Sequence, residues 1–201
     1  MVLYTACYEG MFRNCSSLQT SPVLPATVLA SNCYKRMFDS SGISVSPQLP
    51  ATTLANDCYN RMFAYCPLIK SPNLPATNLA DHCYYGMFHH CEILTTPCEL
   101  PATTLAEWCY ASMFSSCYKL KQSPYLHATT LVANCYNRMF QHCSDLECVK
   151  TAFENWNNGE DSTLYWLQGV SQTGSFVKDG NLYGDEIIRG ISNIPSNWNI
   201  H

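Results

Sequence analysis

One feature governs what this chain can fold into: a short residue pattern comes round six times in phase. Cys-Tyr pairs begin at Cys7, Cys33, Cys58, Cys83, Cys109 and Cys135, in steps of 26, 25, 25, 26 and 26 residues. Met-Phe follows each pair at a constant offset, at Met11, Met37, Met62, Met87, Met113 and Met139. A second cysteine stands eight residues after the first, at Cys15, Cys66, Cys91, Cys117 and Cys143, and Ser41 replaces it in the second unit. Leu-Pro-Ala-Thr recurs from Leu24, Leu49, Leu74 and Leu100, with His127 in the proline's place in the fifth copy. A unit this short cannot bury its apolar face alone. Neighbours must stack, which makes the expected architecture a solenoid of about six repeats of 25–26 residues.

Two patterns meet inside a unit. Leu79, Ala80, Cys83, Tyr84, Met87 and Phe88 fall at i, i+1, i+4, i+5, i+8 and i+9, which reads as one face of a helix capped by Thr77, with Pro75 marking the corner before it. The other half, such as Leu68 to Leu74, is extended in character and ended by proline, so it reads as a brief strand. The expected class is therefore α/β, with strands about 4.8 Å apart in a parallel ladder. Leu3 stands four residues before Cys7, where every later unit also has a leucine. The chain is thus expected to open partway through a unit, as an excised piece with an added Met; no signal peptide is visible over Met1 to Ala6.

The repeat stops near Thr151, dividing the chain into a solenoid over 1–150 and a capping segment over 151–201. Asp161 or Ser162 is expected to cap a short helix through Tyr165, Trp166 and Leu167, stopped by Gly169. Gly174 to Lys178 reads as a strand, and Ile194-Pro195-Ser196-Asn197-Trp198 closes the chain. An open solenoid end exposes core and backbone edge, so a cap is required physically.

Composition narrows the function. Net charge is -4 with 11 Lys+Arg and no basic run, which speaks against nucleic acid and anionic membrane as partners. No apolar stretch is long enough to span a bilayer. Thirteen cysteines form an odd ladder, not a disulfide framework, and read as buried, reduced thiols packed as small hydrophobes. No C-x-x-C pair exists for zinc. His82, Cys83, His89, His90 and Cys91 are the densest group of possible metal ligands, yet the histidines occupy variable positions and read as surface residues. The tyrosine column (Tyr8, Tyr34, Tyr59, Tyr84, Tyr110, Tyr136) shares the face of the repeated Leu and Cys, so core packing is expected, each hydroxyl finding an acceptor. No hydrolase, P-loop or dinucleotide motif occurs, and the carboxylates Glu107, Asp145, Glu154, Asp161, Asp185 and Glu186 are scattered. The expectation is a protein without catalysis and without a cofactor.

Repeats keep what packs and vary what faces solvent. The variable columns follow Cys-Tyr, follow Met-Phe, and lie on the strand. They give the candidate binding residues Arg36, Arg61, Lys70, Tyr85, His89, His90, Thr96, Lys121 and Arg138. Stacked, they form ribbons of polar and aromatic groups suited to an extended protein or glycan.

The units resemble the leucine-rich repeats of the BspA-like family, in which an aromatic-containing pair precedes Cys-x-x-Leu and a strand ended by proline. The matching residues are Met11-Phe12 with Cys15 and Leu18, Met87-Phe88 with Cys91 and Leu94, Met113-Phe114 with Cys117 and Leu120, and Met139-Phe140 with Cys143 and Leu146. Units two and three depart from it, losing one residue at Ser41-Gly42-Ile43 and Cys66-Pro67-Leu68. The tail from Trp166 to Trp198 is similar to segments closing such arrays in gut Bacteroides proteins and their phages. The resemblance implies a leucine-rich-repeat solenoid and an adhesion or recognition role at a cell surface or outside the cell. Its partner would be a protein or glycan on a host or neighbouring cell. A structural spacer or phage virion component, of tail or fibre type, is the alternative it carries.

Overall fold

The computed structural model describes residues 3–153, 159–178 and 194–201. Glu154, Asp185 and Glu186, named above among the carboxylates, lie outside the described residues.

The α/β expectation holds in its sheet. Strands β1 (Gln122–Leu126), β2 (Cys148–Thr151), β3 (Gly174–Lys178) and β4 (Trp198–Ile200) form one four-stranded parallel sheet in the order β1-β2-β3-β4. The expected helices are absent: no described residue is helical. Where they were expected, each unit forms a ribbon of overlapping turns.

The second unit shows how the ribbon is bonded. N–H groups of Cys33, Lys35, Met37, Asp39 and Ser41 donate back three residues, to the carbonyls of Ala30, Asn32, Tyr34, Arg36 and Phe38. The alternate N–H groups, of Asn32, Tyr34, Arg36, Phe38 and Ser40, leave the unit and donate to the carbonyls of Asn56, Cys58, Asn60, Met62 and Ala64. All ten bonds are 2.8 to 3.2 Å long. An α-helix spends every N–H within itself, four residues back. The ribbon instead gives half its donors to its neighbour and leaves no interior backbone group unpaired.

Such alternation needs a left-handed residue at every fourth position. In the second unit these are Asn32, Arg36 and Ser40, with φ of 58°, 53° and 60°, and in the third Asp57, Arg61 and Tyr65. A turn with positive φ at its third residue follows the type II pattern. Two residues in four then face inward and two face outward. That period of four is what made the apolar face look helical.

The inward residues form columns. Tyr8, Tyr34, Tyr59, Tyr84, Tyr110 and Tyr136 stack with centroids 5.7 to 5.9 Å apart. Phe12, Phe38, Phe63, Phe88, Phe114 and Phe140 stack at 5.5 to 6.0 Å. With the repeated Cys, Met and Leu they make one hydrophobic cluster. In the second cysteine column the thiols of Cys66, Cys91, Cys117 and Cys143 donate to the carbonyls of Phe38, Phe63, Phe88 and Phe114, in the unit before, at 3.0 to 3.2 Å. Ser41, the exception in that column, is also buried and lies 3.5 Å from the Cys66 sulfur.

Proline keeps the opposite side thin. Pro22, Pro47, Pro72, Pro97 and Pro124 each remove a ladder donor from the strand segment of a unit. Before β1 the pairing is single bridges, such as Val28 with Thr53 and Lys70 with Thr96, so the strand expected over Leu68 to Leu74 shrinks to one paired residue near its start. Pro124 interrupts β1 as well: the register shifts between Gln122 and Tyr125, and the Lys150 N–H turns to the Ser123 hydroxyl at 3.1 Å. β2 lacks proline and pairs continuously with β3.

In the segment after Thr151, the short helix expected from Asp161 or Ser162 is a seventh ribbon. Asn134, Tyr136, Arg138, Phe140 and His142 donate to Glu160, Ser162, Leu164, Trp166 and Gln168, and Asp161, Tyr165 and Gly169 have positive φ. Trp166 stands where the units carry Met and Leu167 where they carry Phe, and both are buried. The strand read at Gly174 to Lys178 is β3 to the residue. Gly174 is required there, because a Cβ would meet the Glu147 carbonyl oxygen and the Trp198 ring, each at 2.6 Å. Gly42 has a similar role where the second unit is one residue short: a Cβ would lie 2.2 Å from the Ser16 carbonyl oxygen.

Two outcomes test this architecture. Far-ultraviolet circular dichroism should lack the paired minima of α-helix; a strong helical signature would refute the ribbons. In urea titrations Phe88→Ala should cost about 3–5 kcal/mol. Cys91→Ser should cost about 1 kcal/mol or less, because a hydroxyl can donate to the same carbonyl.

Candidate functional site

Outward positions of the ribbons in the third to fifth units carry an aromatic, histidine and arginine patch. The Arg61 guanidinium carbon lies 5.9 Å from the centroid of the Tyr85 ring. Tyr85 is 6.3 Å from Trp108, and His82 stacks on Trp108 at 5.9 Å with 8° between planes. Tyr65 stacks on His90 at 4.8 Å and meets His89 edge-on at 5.6 Å, while Tyr118 meets His90 edge-on at 6.3 Å. Arg61 reaches this position by crossing Gly86, where an added Cβ would stand 3.2 Å from its Cγ.

Burial, with His90 and Arg61 adding repulsion, pushes His89 down to about 4. Its Nδ1 is buried and has no hydrogen-bond partner. The patch therefore keeps a neutral His89 beside the Arg61 guanidinium, with the Glu92 carboxylate 3.7 Å from the His90 ring nitrogen at its edge. Such a surface can stack on planar or apolar groups and pair with an anion.

Four of the residues expected to bind, Arg61, Tyr85, His89 and His90, come together here. Arg36 lies on the same columns one unit earlier, with its Nε buried and unpartnered. Arg138 lies further along them, its guanidinium 5.5 Å from the Tyr165 ring centroid. Lys70, Thr96 and Lys121 belong to the strand segments instead. Lys70 lines a cleft of about 370 Å³ with Ser44, Gln48 and Asn73. Thr96 and Lys121 line another of about 480 Å³ with Lys150 and Tyr125. So two of the three variable columns form one surface and the third forms another.

Sequence reasoning left Tyr65, His82, Trp108 and Tyr118 out of the binding set. Trp108 and His82 occupy the left-handed position just before each Cys-Tyr pair, a column filled elsewhere by Ala6, Asn32, Asp57 and Asn134. Variation in that column was the available signal. The tyrosine column is core, as expected, but the hydroxyls of Tyr34 and Tyr84 have no partner, so the expectation that each finds an acceptor fails at those two.

All thirteen cysteines are free, and ten are buried. Burial pushes Cys33 up from 9.0 to about 11, and Cys58, Cys98, Cys135 and Cys143 to about 12. They remain neutral thiols at pH 7, poor as nucleophiles and as metal ligands. Cys83 and Cys91 are buried, while His82, His89 and His90 are only half-buried on the outward columns. Among the described residues no three His, Cys, Asp or Glu converge on a common metal position, and no helix is long and apolar enough to cross a membrane. No protein family, curated protein or solved structure matches this chain.

Titration supplies two expected outcomes. The stability contributed by buried thiols is full below pH 9 and is lost as pH rises toward 12, so alkaline unfolding should fall in that window, and native thiol reagents should find chiefly Cys7, Cys15 and the half-buried Cys148. Neutral His89 contributes fully above pH 6.5, and that contribution is lost as pH falls through about 4. His89→Gln should flatten this acid limb of a thermal-melt series; an unchanged limb would assign the effect elsewhere.

Proposed function

We propose that the chain is a leucine-rich-repeat solenoid of BspA-like type that acts as a non-catalytic recognition module for a protein or glycan. Residues 1–150 carry the repeated sequence pattern, and the described part of 151–201 closes it with the seventh ribbon, β3 and β4. The single observation that carries the reading is the patch formed by Arg61, Tyr65, His82, Tyr85, His89, His90, Trp108 and Tyr118. Trp, Tyr and Arg dominate the binding energy of protein interfaces, and they gather here on columns that carry Asn, Ser or Lys in other units. Nothing in the packing asks for aromatic residues there, since the core columns are already filled. Burial of ten of the thirteen cysteines, which keeps thiols such as that of Cys58 protonated, supports binding over thiol chemistry.

The ligand lies along the outward columns and takes several shallow contacts from a rigid surface. A location at a cell surface or outside the cell accompanies this reading through the resemblance of the repeats. The spacer or virion reading rests on the unbroken ladder between ribbons, which gives the array stiffness. A glycan and surface-protein array probed with the purified chain separates the two. Trp108→Ala and Arg61→Ala should each weaken a specific signal about tenfold or more, while Lys70→Ala on the strand side leaves it unchanged. Loss with Lys70→Ala alone would move the site to the strand side, and silence across the array would favour the spacer.

A further inference from the structure

The outward patch carries a charge pattern that bears on its ligand. From Ser71 to Tyr118 the chain has no Lys or Arg, while Asp81, Glu92, Glu99 and Glu107 are acidic. Asp81 and Glu107 directly precede His82 and Trp108, and they stand side by side on adjacent ribbons. The ladder fixes that adjacency. The Asp57 and His82 N–H groups donate to the Asp81 and Glu107 carbonyls, and the Glu107 N–H donates to Asp81 Oδ1 at 3.2 Å. On the ribbons either side, the same place holds the neutral Asn56 and Ala133. Among the described residues neither carboxylate has an ion pair, whereas Asp39, Asp57 and Asp145 are met by Arg13, Lys35 and Lys119. Like charges on neighbouring segments repel, and a cation placed between them removes that cost.

The rings beside these carboxylates are a second, independent sign. An indole attracts a cation more strongly than any other aromatic side chain. The chain already seats cations on outward rings: Arg61 on Tyr85 at 5.9 Å and Arg138 on Tyr165 at 5.5 Å. Among the described residues Trp108 has none. Ring and carboxylate meet again at the other end of the patch, where Tyr65, Ile93 and Glu92 line a cleft of about 220 Å³. Tyr65 and Ile93 are about half exposed there, and Glu92 meets only the His90 ring, at 3.7 Å.

Resting on the recognition reading above, we propose that the patch binds a basic segment of a partner protein. Its Lys or Arg side chains lie over Trp108 and against Tyr65, with Asp81, Glu107 and Glu92 as counter-charges. A long basic side chain suits both places, because its methylene stem covers apolar surface while its charged end reaches a carboxylate. An acidic glycan would meet three carboxylates, and a neutral one would leave them unmatched. Arg61 lies at the third-unit side with its guanidinium already spread on Tyr85, so the Trp108 side offers negative charge alone.

The test titrates the full chain, by calorimetry, with an end-blocked peptide alternating Gly and Arg. Peptides alternating Gly with Gln and Gly with Glu are the controls. Only the arginine peptide should bind, and its affinity should fall as salt rises. Asp81→Asn with Glu107→Gln, and separately Trp108→Ala, should each weaken it about tenfold or more while the thermal midpoint stays near that of the original chain. Glu99→Gln with Glu147→Gln removes the same charge from the strand side and should leave affinity unchanged. No binding of the arginine peptide, or equal losses from the two carboxylate pairs, would overturn the proposal. So would a glycan-array signal that needs Trp108 yet survives Asp81→Asn with Glu107→Gln, an outcome that leaves the recognition reading standing. Silence on the array and with every peptide would remove both.

Discussion

The structure depends on giving away half of each ribbon's backbone donors. One N–H in two closes a local turn and the other crosses to the next unit, so the bonds that shape a unit and those that join it to its neighbour alternate along a single stretch of chain. Three left-handed residues per ribbon make this possible. At roughly 1–2 kcal/mol each they cost about as much as five crossing hydrogen bonds return at roughly 0.5–1.5 kcal/mol each. The ladder therefore sets geometry more than it supplies stability. Burial stabilises: each junction removes Tyr, Phe and Met side chains from water, each contributing about 1.5–3 kcal/mol.

This division of labour explains why the core columns tolerate so little and the outward ones so much. Inward residues must repeat in size and place because each ring rests on the next at about one ring's separation. Outward residues contribute mainly backbone to the ladder, so their side chains are free to differ between units. The patch around Trp108 uses that freedom, and Gly86 extends it by letting Arg61 lie flat across the neighbouring ribbon.

Much of this was legible in the sequence. The columns of Cys, Tyr, Met and Phe are core, the thiols are free and mostly buried, and β3 begins and ends where its residues suggested. The helical reading failed for a definable reason. Leu79, Cys83, Met87 and Cys91 advance by four, and in a helix each such step drifts roughly 40°, so a face held over three steps already departs from a 3.6-residue period. The strand read from Leu68 shrinks because Pro72, like its equivalents in the other units, offers no ladder donor. The grouping of Arg61 with Tyr85, His89 and Trp108 could not be read, because it depends on which columns lie side by side once units are stacked. That adjacency is set by the turn period and not by spacing along the chain.

The left-handed backbone also filters what evolution can write on the outward surface. Of the described ribbon residues with positive φ, from Ala6 to Gly169, none is Val, Ile, Thr or Pro; Asn, Asp, His, Ser, Arg, Gly, Tyr and Trp account for all but one. Side chains branched at Cβ are disfavoured in that conformation, whereas Asn, Asp and His enter more readily. The alphabet left over overlaps the one that antibody loops favour for contact. A fold that demands this conformation at every fourth residue thus biases its variable surface toward short hydrogen-bonding side chains before any partner exerts selection.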